Sequence, residues 1–235
     1  TFIIKEDGKM FINGKKNYVL GLDLAKNIII PAFNSVSGDI FILNIKVDDN
    51  LNKISYRSID DNLISELLFE KLLIKNDQVL CILKKEEFKN KLDFIIDLCS
   101  LAYCSDSLGV IEKMYELTLD YVKTREQFGK KIGVFQTIQH KLVDIYIKKE
   151  EMRSLNYMGQ ISLNKDYNTR KKSIALNKIF LGTHAKCIAK ECIQLHGGMG
   201  VAEEMKIGHY FKRILTSATI FGDADYHYGR YAELD

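Results

Sequence analysis

Ile193-Gln194-Leu195-His196-Gly197-Gly198-Met199-Gly200 ends one long helical pattern and separates it from the next. Paired glycines after a helically spaced run mark a helix C-terminus and a tight turn, and they leave backbone uncovered by side chains. A second stretch has the same character: Thr124-Arg125-Glu126-Gln127-Phe128-Gly129-Lys130-Lys131-Ile132-Gly133-Val134-Phe135-Gln136. Both are glycine-bearing breaks between helical segments. Both put polar donors beside glycines, where backbone can approach an anionic ligand closely.

Outward from these breaks the pattern is helical. From Phe88 to Lys123 apolar residues recur at helical spacing, including Leu92, Ile95, Ile96, Cys99, Leu108, Ile111 and Met114. The same spacing predicts helices from Phe135 to about Leu163 and from about Asn168 to Leu195. Two shorter helices are expected near Glu203–Thr216 and Ser217–Leu234.

Before Lys84 the pattern changes. Met10-Phe11-Ile12, Tyr18-Val19-Leu20, Asn27-Ile28-Ile29-Ile30 and Ile40-Phe41-Ile42-Leu43 are short apolar runs separated by turn residues such as Asp7-Gly8, Gly14 and Gly38-Asp39. That is the signature of a meandering antiparallel sheet. The single proline, Pro31, is expected to close the third run. The fold class is therefore α+β: residues 1–83 as a partial antiparallel β-domain, residues 84–235 as an antiparallel C-terminal helical bundle.

Composition bounds the function. Of 235 residues, 46% are hydrophobic and 28% charged, which suits an ordinary globular chain. A net charge of +3 and the lack of a basic helix argue against a nucleic-acid surface. No apolar run is read as long enough to span a bilayer and no signal peptide stands out, so a cytoplasmic setting is expected. Cys81, Cys99, Cys104, Cys187 and Cys192 lack CxxC spacing and are read as buried reduced thiols. His140, His184, His196, His209 and His227 show no metal-ligand spacing.

Each candidate residue has a plain structural reading. Arg125 could simply satisfy the C-terminal dipole of its helix. Its guanidinium fork also fits phosphate oxygens. Gln194 to Gly198 could be only a helix cap, and His196 is read as a packed or capping residue. Asp106 could be a solvated or paired surface acid. Asp223 reads as a turn residue or a cap for the last helix.

Taken together, the two glycine-bearing stretches resemble the flavin-contacting segments of the acyl-CoA dehydrogenase family. Asp7-Gly8-Lys9-Met10-Phe11-Ile12-Asn13-Gly14-Lys15 resembles a hairpin of that family's middle β-domain. On this resemblance the chain begins inside that domain, without the family's N-terminal helical domain. The resemblance implies FAD as cofactor. Arg125 and Gln127 would meet its diphosphate side, with Phe128, Ile132 and Phe135 around the adenine half. Gln194, Gly197 and Gly198 would meet the ADP part, and Asp223 would lie near the adenosine. In the family these contacts reach the FAD of a neighbouring subunit. The resemblance therefore implies a homo-oligomer, or a heteromer with a related acyl-CoA dehydrogenase subunit. An electron-transfer flavoprotein is the expected electron acceptor.

The implied reaction is α,β-dehydrogenation of an acyl-CoA thioester. A carboxylate takes the α-proton while a hydride leaves the β-carbon for flavin N5. Such a base must be desolvated, because the α-proton is only weakly acidic. The family carries a Glu either in a C-terminal turn, here Ile220-Phe221-Gly222-Asp223, or on the long helix, here at Cys99. Phe221 and Cys99 occupy those positions, so neither usual base is present. Asp106 shares a helix face with Cys99 about two turns on, roughly 10 Å along the axis, and is the catalytic candidate. Cys99 and Phe221 would then line the acyl pocket. The competing reading is a non-catalytic partner subunit that completes the FAD site of a homologous chain.

Overall fold

The computed structural model describes residues 1–48 and 51–234. The chain divides into two compact units, Thr1–Phe94 and Ile95–Asp235.

The first unit is built on one seven-stranded sheet. Its strands are β1 (Phe2–Glu6), β2 (Lys9–Leu20), β3 (Asn27–Asn34), β4 (Ile40–Lys46), β5 (Asn52–Arg57), β6 (Leu63–Ile74) and β7 (Val79–Leu83), in the order β5-β6-β2-β1-β3-β4-β7. Neighbours are antiparallel except β1 and β3, which run parallel through Phe2–Phe33 and Ile3–Asn34. Met10–Ile12 and Tyr18–Leu20, expected as two runs, belong to the single strand β2. Register shifts against β6 between Ile12 and Gly14 and between Lys16 and Val19 break its alternation, so the sequence reads as two pieces. Pro31 does not close β3, which continues to Asn34. The residue is tolerated because β1 pairs only beyond it, at Phe33 and Asn34. Ile12, Leu43, Leu67 and Phe69 are buried in the core of this unit.

Strand gives way to helix between Leu83 and Lys85. The helices are α1 (Lys85–Thr124), α2 (Gln136–Ser162), α3 (Tyr167–Phe180), α4 (Lys186–His196), α5 (Lys206–Thr219) and α6 (Ala224–Ala232). α1 and α2 run antiparallel: Glu112 accepts from Arg153, and Ser105 bonds Asn156. The expected helix from Asn168 to Leu195 is in fact α3 and α4 joined by a π-helical turn, Leu181–Ala185. The expected break at Ser217 is corrected as well, since α5 runs on to Thr219. The break falls where Phe221 and Gly222 take φ of 59° and 99°, which no helix can follow. Asp223 then caps α6 by accepting from the Tyr226 amide at 2.9 Å.

Two expectations from composition change. α1 is long and apolar enough to cross a membrane by length and composition alone. Its Cys104, Ile111 and Met114 are buried in the bundle core, while Leu92, Phe94, Ile95 and Leu98 are exposed. Cys104 and Cys192 are buried thiols, pushed up to about 12 and about 11 by desolvation. Cys81 and Cys187 are exposed, against the expectation of burial.

Candidate functional site

Arg125 follows the last residue of α1, and its amide donates to the Tyr121 carbonyl at 2.8 Å. The chain then turns through a small hairpin, β8 (Glu126–Gln127) and β9 (Lys130–Lys131). Phe128 and Gly129 form its two-residue tip, both with positive φ, a geometry matched to tight hairpins. The Ile132 amide closes the loop on the Arg125 carbonyl at 2.9 Å. Arg125 is thereby held at the rim of the bundle with its side chain exposed and, among the described residues, without a carboxylate partner.

The second motif ends α4. Gly197 caps the helix with φ 60° and ψ −142°, a conformation that disfavours any side chain. His196 is buried under it. Its Nδ1 donates to the Cys192 carbonyl at 2.8 Å, and because a carbonyl only accepts, Nδ1 carries the proton. The Tyr121 ring stacks on the imidazole with centroids 4.4 Å apart, and its hydroxyl donates to the His196 carbonyl. One aromatic pair thus joins the last turn of α1 to the end of α4.

Between the two motifs lies a cleft of about 460 Å³. Arg125, Gln127, Ile132, Gln194, Gly197 and Gly198 line it, with Tyr121, His196 and Met199. A Cβ built on Gly197 or Gly198 would meet nothing within 4 Å, so the backbone there faces open space. An unpaired guanidinium, two amide side chains and uncovered backbone facing one cleft are the donor set a diphosphate requires. The residues present therefore fit the phosphate end of a dinucleotide.

Three of the cofactor candidates, Phe128, Phe135 and Asp223, do not line this cleft. Phe128 is 88% exposed at the hairpin tip. It meets Phe135 edge-on at 6.1 Å, and Lys130 lies over the Phe135 ring at 4.6 Å. Asp223 stands at the start of α6 as its cap.

Asp106 lies on α1 with its side chain 44% exposed, and its Oδ2 accepts from Arg213 Nε at 2.9 Å. Arg213 also covers the Tyr103 ring at 5.6 Å. Tyr103 meets Phe221 edge-on at 5.7 Å. The Phe221 turn therefore presents an aromatic pair, bordered by an ion pair, where a desolvated carboxylate would be needed.

Several functional groups were not singled out in the sequence. Lys178 is fully buried, and its Nζ donates to the carbonyls of Ser217 at 2.9 Å and Ile220 at 2.6 Å. Burial lowers it to about 8. His227 is also fully buried and lies 3.0 Å from the Phe221 carbonyl through Nε2. Asp97, again fully buried, accepts from Arg170 Nε at 2.9 Å and from Arg230 Nη2. A signal for Lys178 existed: Ile174-Ala175-Leu176-Asn177-Lys178-Ile179-Phe180 leaves no polar face for a lysine to occupy.

Residues 100–233, more than half of the chain, match the family model for the acyl-CoA dehydrogenase C-terminal domain. The acyl-CoA dehydrogenase IpdE2 of Mycolicibacterium smegmatis is 31% identical over 128 residues, covering 54% of this chain and 39% of that protein. The mitochondrial isovaleryl-CoA dehydrogenase of Oryza sativa subsp. japonica is 29% identical over 232 residues, covering 92% of this chain and 53% of that protein. The chain thus spans about half the length of the curated relatives it matches, or less. Its fold matches a chain of the ChsE4-ChsE5 complex from Mycobacterium tuberculosis with a TM-score of 0.83 at 19% identity, covering 99% of this chain and 61% of that one.

Proposed function

Because the chain belongs to the acyl-CoA dehydrogenase family, we propose that it builds the diphosphate-binding part of a FAD site in an assembly that oxidises an acyl-CoA thioester between its α and β carbons. The carrying observation is the convergence of Arg125, Gln127, Gln194, Gly197 and Gly198 on one cleft. When bound, FAD supplies the acceptor for the hydride that leaves the β-carbon. Arg125 neutralises the phosphates and, with Gln127, orients them from the hairpin side. Gly197 and Gly198 let backbone approach them from the other side. Phe128, Ile132 and Phe135 shape the adenine side, and Asp223 lies toward the adenosine. Phe128 stands far out on the hairpin, which suits a contact made to a neighbouring subunit. The assembly is thus a homo-oligomer or a heteromer with a related subunit, and it passes electrons to an electron-transfer flavoprotein. Arg125→Ala tests the site: losing a charged donor to phosphate weakens FAD retention by about 1.5–3 kcal/mol. Unchanged flavin affinity in that variant removes the assignment.

If this chain also acts on the α-proton, Asp106 is the residue that takes it. For that its pair with Arg213 must open, because a solvated, paired carboxylate is a weak base toward a thioester α-proton. The aromatic surface at Phe221 favours the second reading, a subunit that completes a cofactor site while a homologous chain supplies the base. Anaerobic bleaching of the assembly's flavin by acyl-CoA separates the two. Asp106→Asn abolishes bleaching in the first case and leaves its rate unchanged in the second.

A further inference from the structure

The turn from Ser217 to Asp223 is held from inside the bundle by two side chains that neither cofactor binding nor proton transfer uses. The last carbonyls of a helix have no partner within it. At the end of α5, those of Ser217 and Ile220 are satisfied by Lys178 Nζ, which reaches across from α3 at 2.9 and 2.6 Å. The next carbonyl, that of Phe221, is satisfied by His227 Nε2 from α6 at 3.0 Å. Neither side chain is there to fill space, since an apolar residue would do so without the cost of burying a polar group. What they hold is a strained backbone. Phe221 carries φ 59°, a conformation of low population for a bulky side chain, which persists only where its surroundings over-determine it. That conformation sets the Phe221 ring 5.7 Å from Tyr103, with the ring planes inclined at 64°.

We propose that Lys178 and His227 are positioning residues: they clamp the Ser217–Phe221 backbone so that Phe221 stands edge-on to Tyr103, at the turn where the family resemblance already implies the acyl pocket. The clamp follows from the geometry alone; the identity of what meets the aromatic pair rests on the reading in the preceding subsection. Tyr103 lies one helical turn from Cys99 on α1, so those two share one face of that helix, and Phe221 meets it at Tyr103. The pair is carried by two elements, α1 and the turn. Its spacing, and with it the width available to an acyl chain, depends on the turn staying where Lys178 and His227 fix it.

Hydrogen exchange read by mass spectrometry on the intact assembly, together with titration by octanoyl-CoA, tests this. The Ile220 and Gly222 amides bond to the Thr216 and Thr219 carbonyls, each at 3.2 Å, and report on the turn. In Lys178→Met and in His227→Leu, exchange across residues 217–223 rises about tenfold or more, the loss expected for one buried hydrogen bond. Exchange in α2 stays at the wild-type rate. His227→Gln, whose amide can replace the Nε2 donor, returns exchange toward wild type. The same two loosening variants bind octanoyl-CoA several-fold more weakly while retaining FAD. Wild-type exchange at 217–223 in both loosening variants overturns the clamp. Should Lys178→Met not fold, the His227→Leu and His227→Gln pair decides alone. Faster exchange with unaltered octanoyl-CoA affinity overturns the acyl-surface assignment and leaves the clamp. A wild-type assembly that retains no FAD overturns the preceding reading instead, and the exchange result still stands.

Discussion

The Tyr121 ring lies on the His196 imidazole at a centroid distance of 4.4 Å and an interplanar angle of 25°, and its hydroxyl donates to the His196 carbonyl at 3.2 Å. This doubly attached pair fixes the separation of the two walls of the cleft. Arg125 is one turn beyond Tyr121, and Gly197 directly follows His196. Tyr121→Phe keeps the stacked ring and loses one hydrogen bond, about 1 kcal/mol. Tyr121→Leu loses the aromatic contact as well, a further 0.5–1.5 kcal/mol or so. Urea denaturation should rank the variants in that order. Equal losses in both would mean that the stacking contributes nothing.

Removing Asp97 should cost more than removing one partner of the exposed ion pairs among the described residues. Asp97 is fully buried and joins α1 to Arg170 on α3 and to Arg230 on α6. Asp97→Ala leaves the Arg230 guanidinium, whose Nη1 already lacks a protein partner, buried without its carboxylate. Breaking a buried pair from one side costs about 3–5 kcal/mol. Asp97→Asn keeps an acceptor and should cost less. By contrast Lys113→Ala, at an exposed i,i+3 pair with Glu116, should leave stability close to wild type. A loss below about 1 kcal/mol in Asp97→Ala would contradict the assignment.

Much of this was legible in sequence because long helical patterns and glycine-bearing breaks are local signals. The strand-to-helix change falls between Leu83 and Lys85, and Arg125 does follow the end of a long helix. The convergence of Arg125 and Gln194 on one cleft was readable only through family resemblance, because no local pattern states which helix ends meet. The buried polar groups were largely illegible. Asp97 sits in a stretch whose apolar spacing looks like any amphipathic helix, and its partners lie far along the chain. Asp106 became a candidate partly through the helix face it shares with Cys99. Its partner Arg213 comes from α5, which no spacing argument connects to α1.

Gly222 should be intolerant of substitution for two separable reasons. Its φ of 99° strains any L side chain, and a Cβ there would meet the Tyr226 ring. Gly222→Ala should destabilise by about 1–2 kcal/mol from the backbone alone. The steric part adds to this, moderated because Tyr226 is 58% exposed and can swing outward. In a Tyr226→Ala background, Gly222→Ala carries only the backbone cost. A cost as large in that background as in the wild-type chain would show that the ring contact is relieved without cost.

His227 makes the bundle sensitive to mild acid. Burial lowers its imidazole to about 4. Lys178 from α3 and Arg230 from α6 push in the same direction, while the Phe221 carbonyl and Asp97 from α1 oppose them. An unfolded histidine titrates near 6.5, so between about 6.5 and 4 the unfolded chain binds more protons than the folded one. Stability due to this group is therefore complete above about pH 6.5 and is lost as the pH falls toward 4, by roughly 3 kcal/mol in all. Lys178 shares the sign in a different window. Lowered to about 8 from 10.5 by burial, it makes the folded state gain stability as the pH rises from about 8 to 10.5. Urea midpoints measured between pH 4 and 7 should fall more steeply for the wild-type chain than for His227→Gln, which has no proton to bind there. Carboxylates titrating at the acid end are common to both chains and cancel in the comparison. Parallel curves for the two would mean that His227 takes up its proton as readily in the folded chain as in the unfolded one.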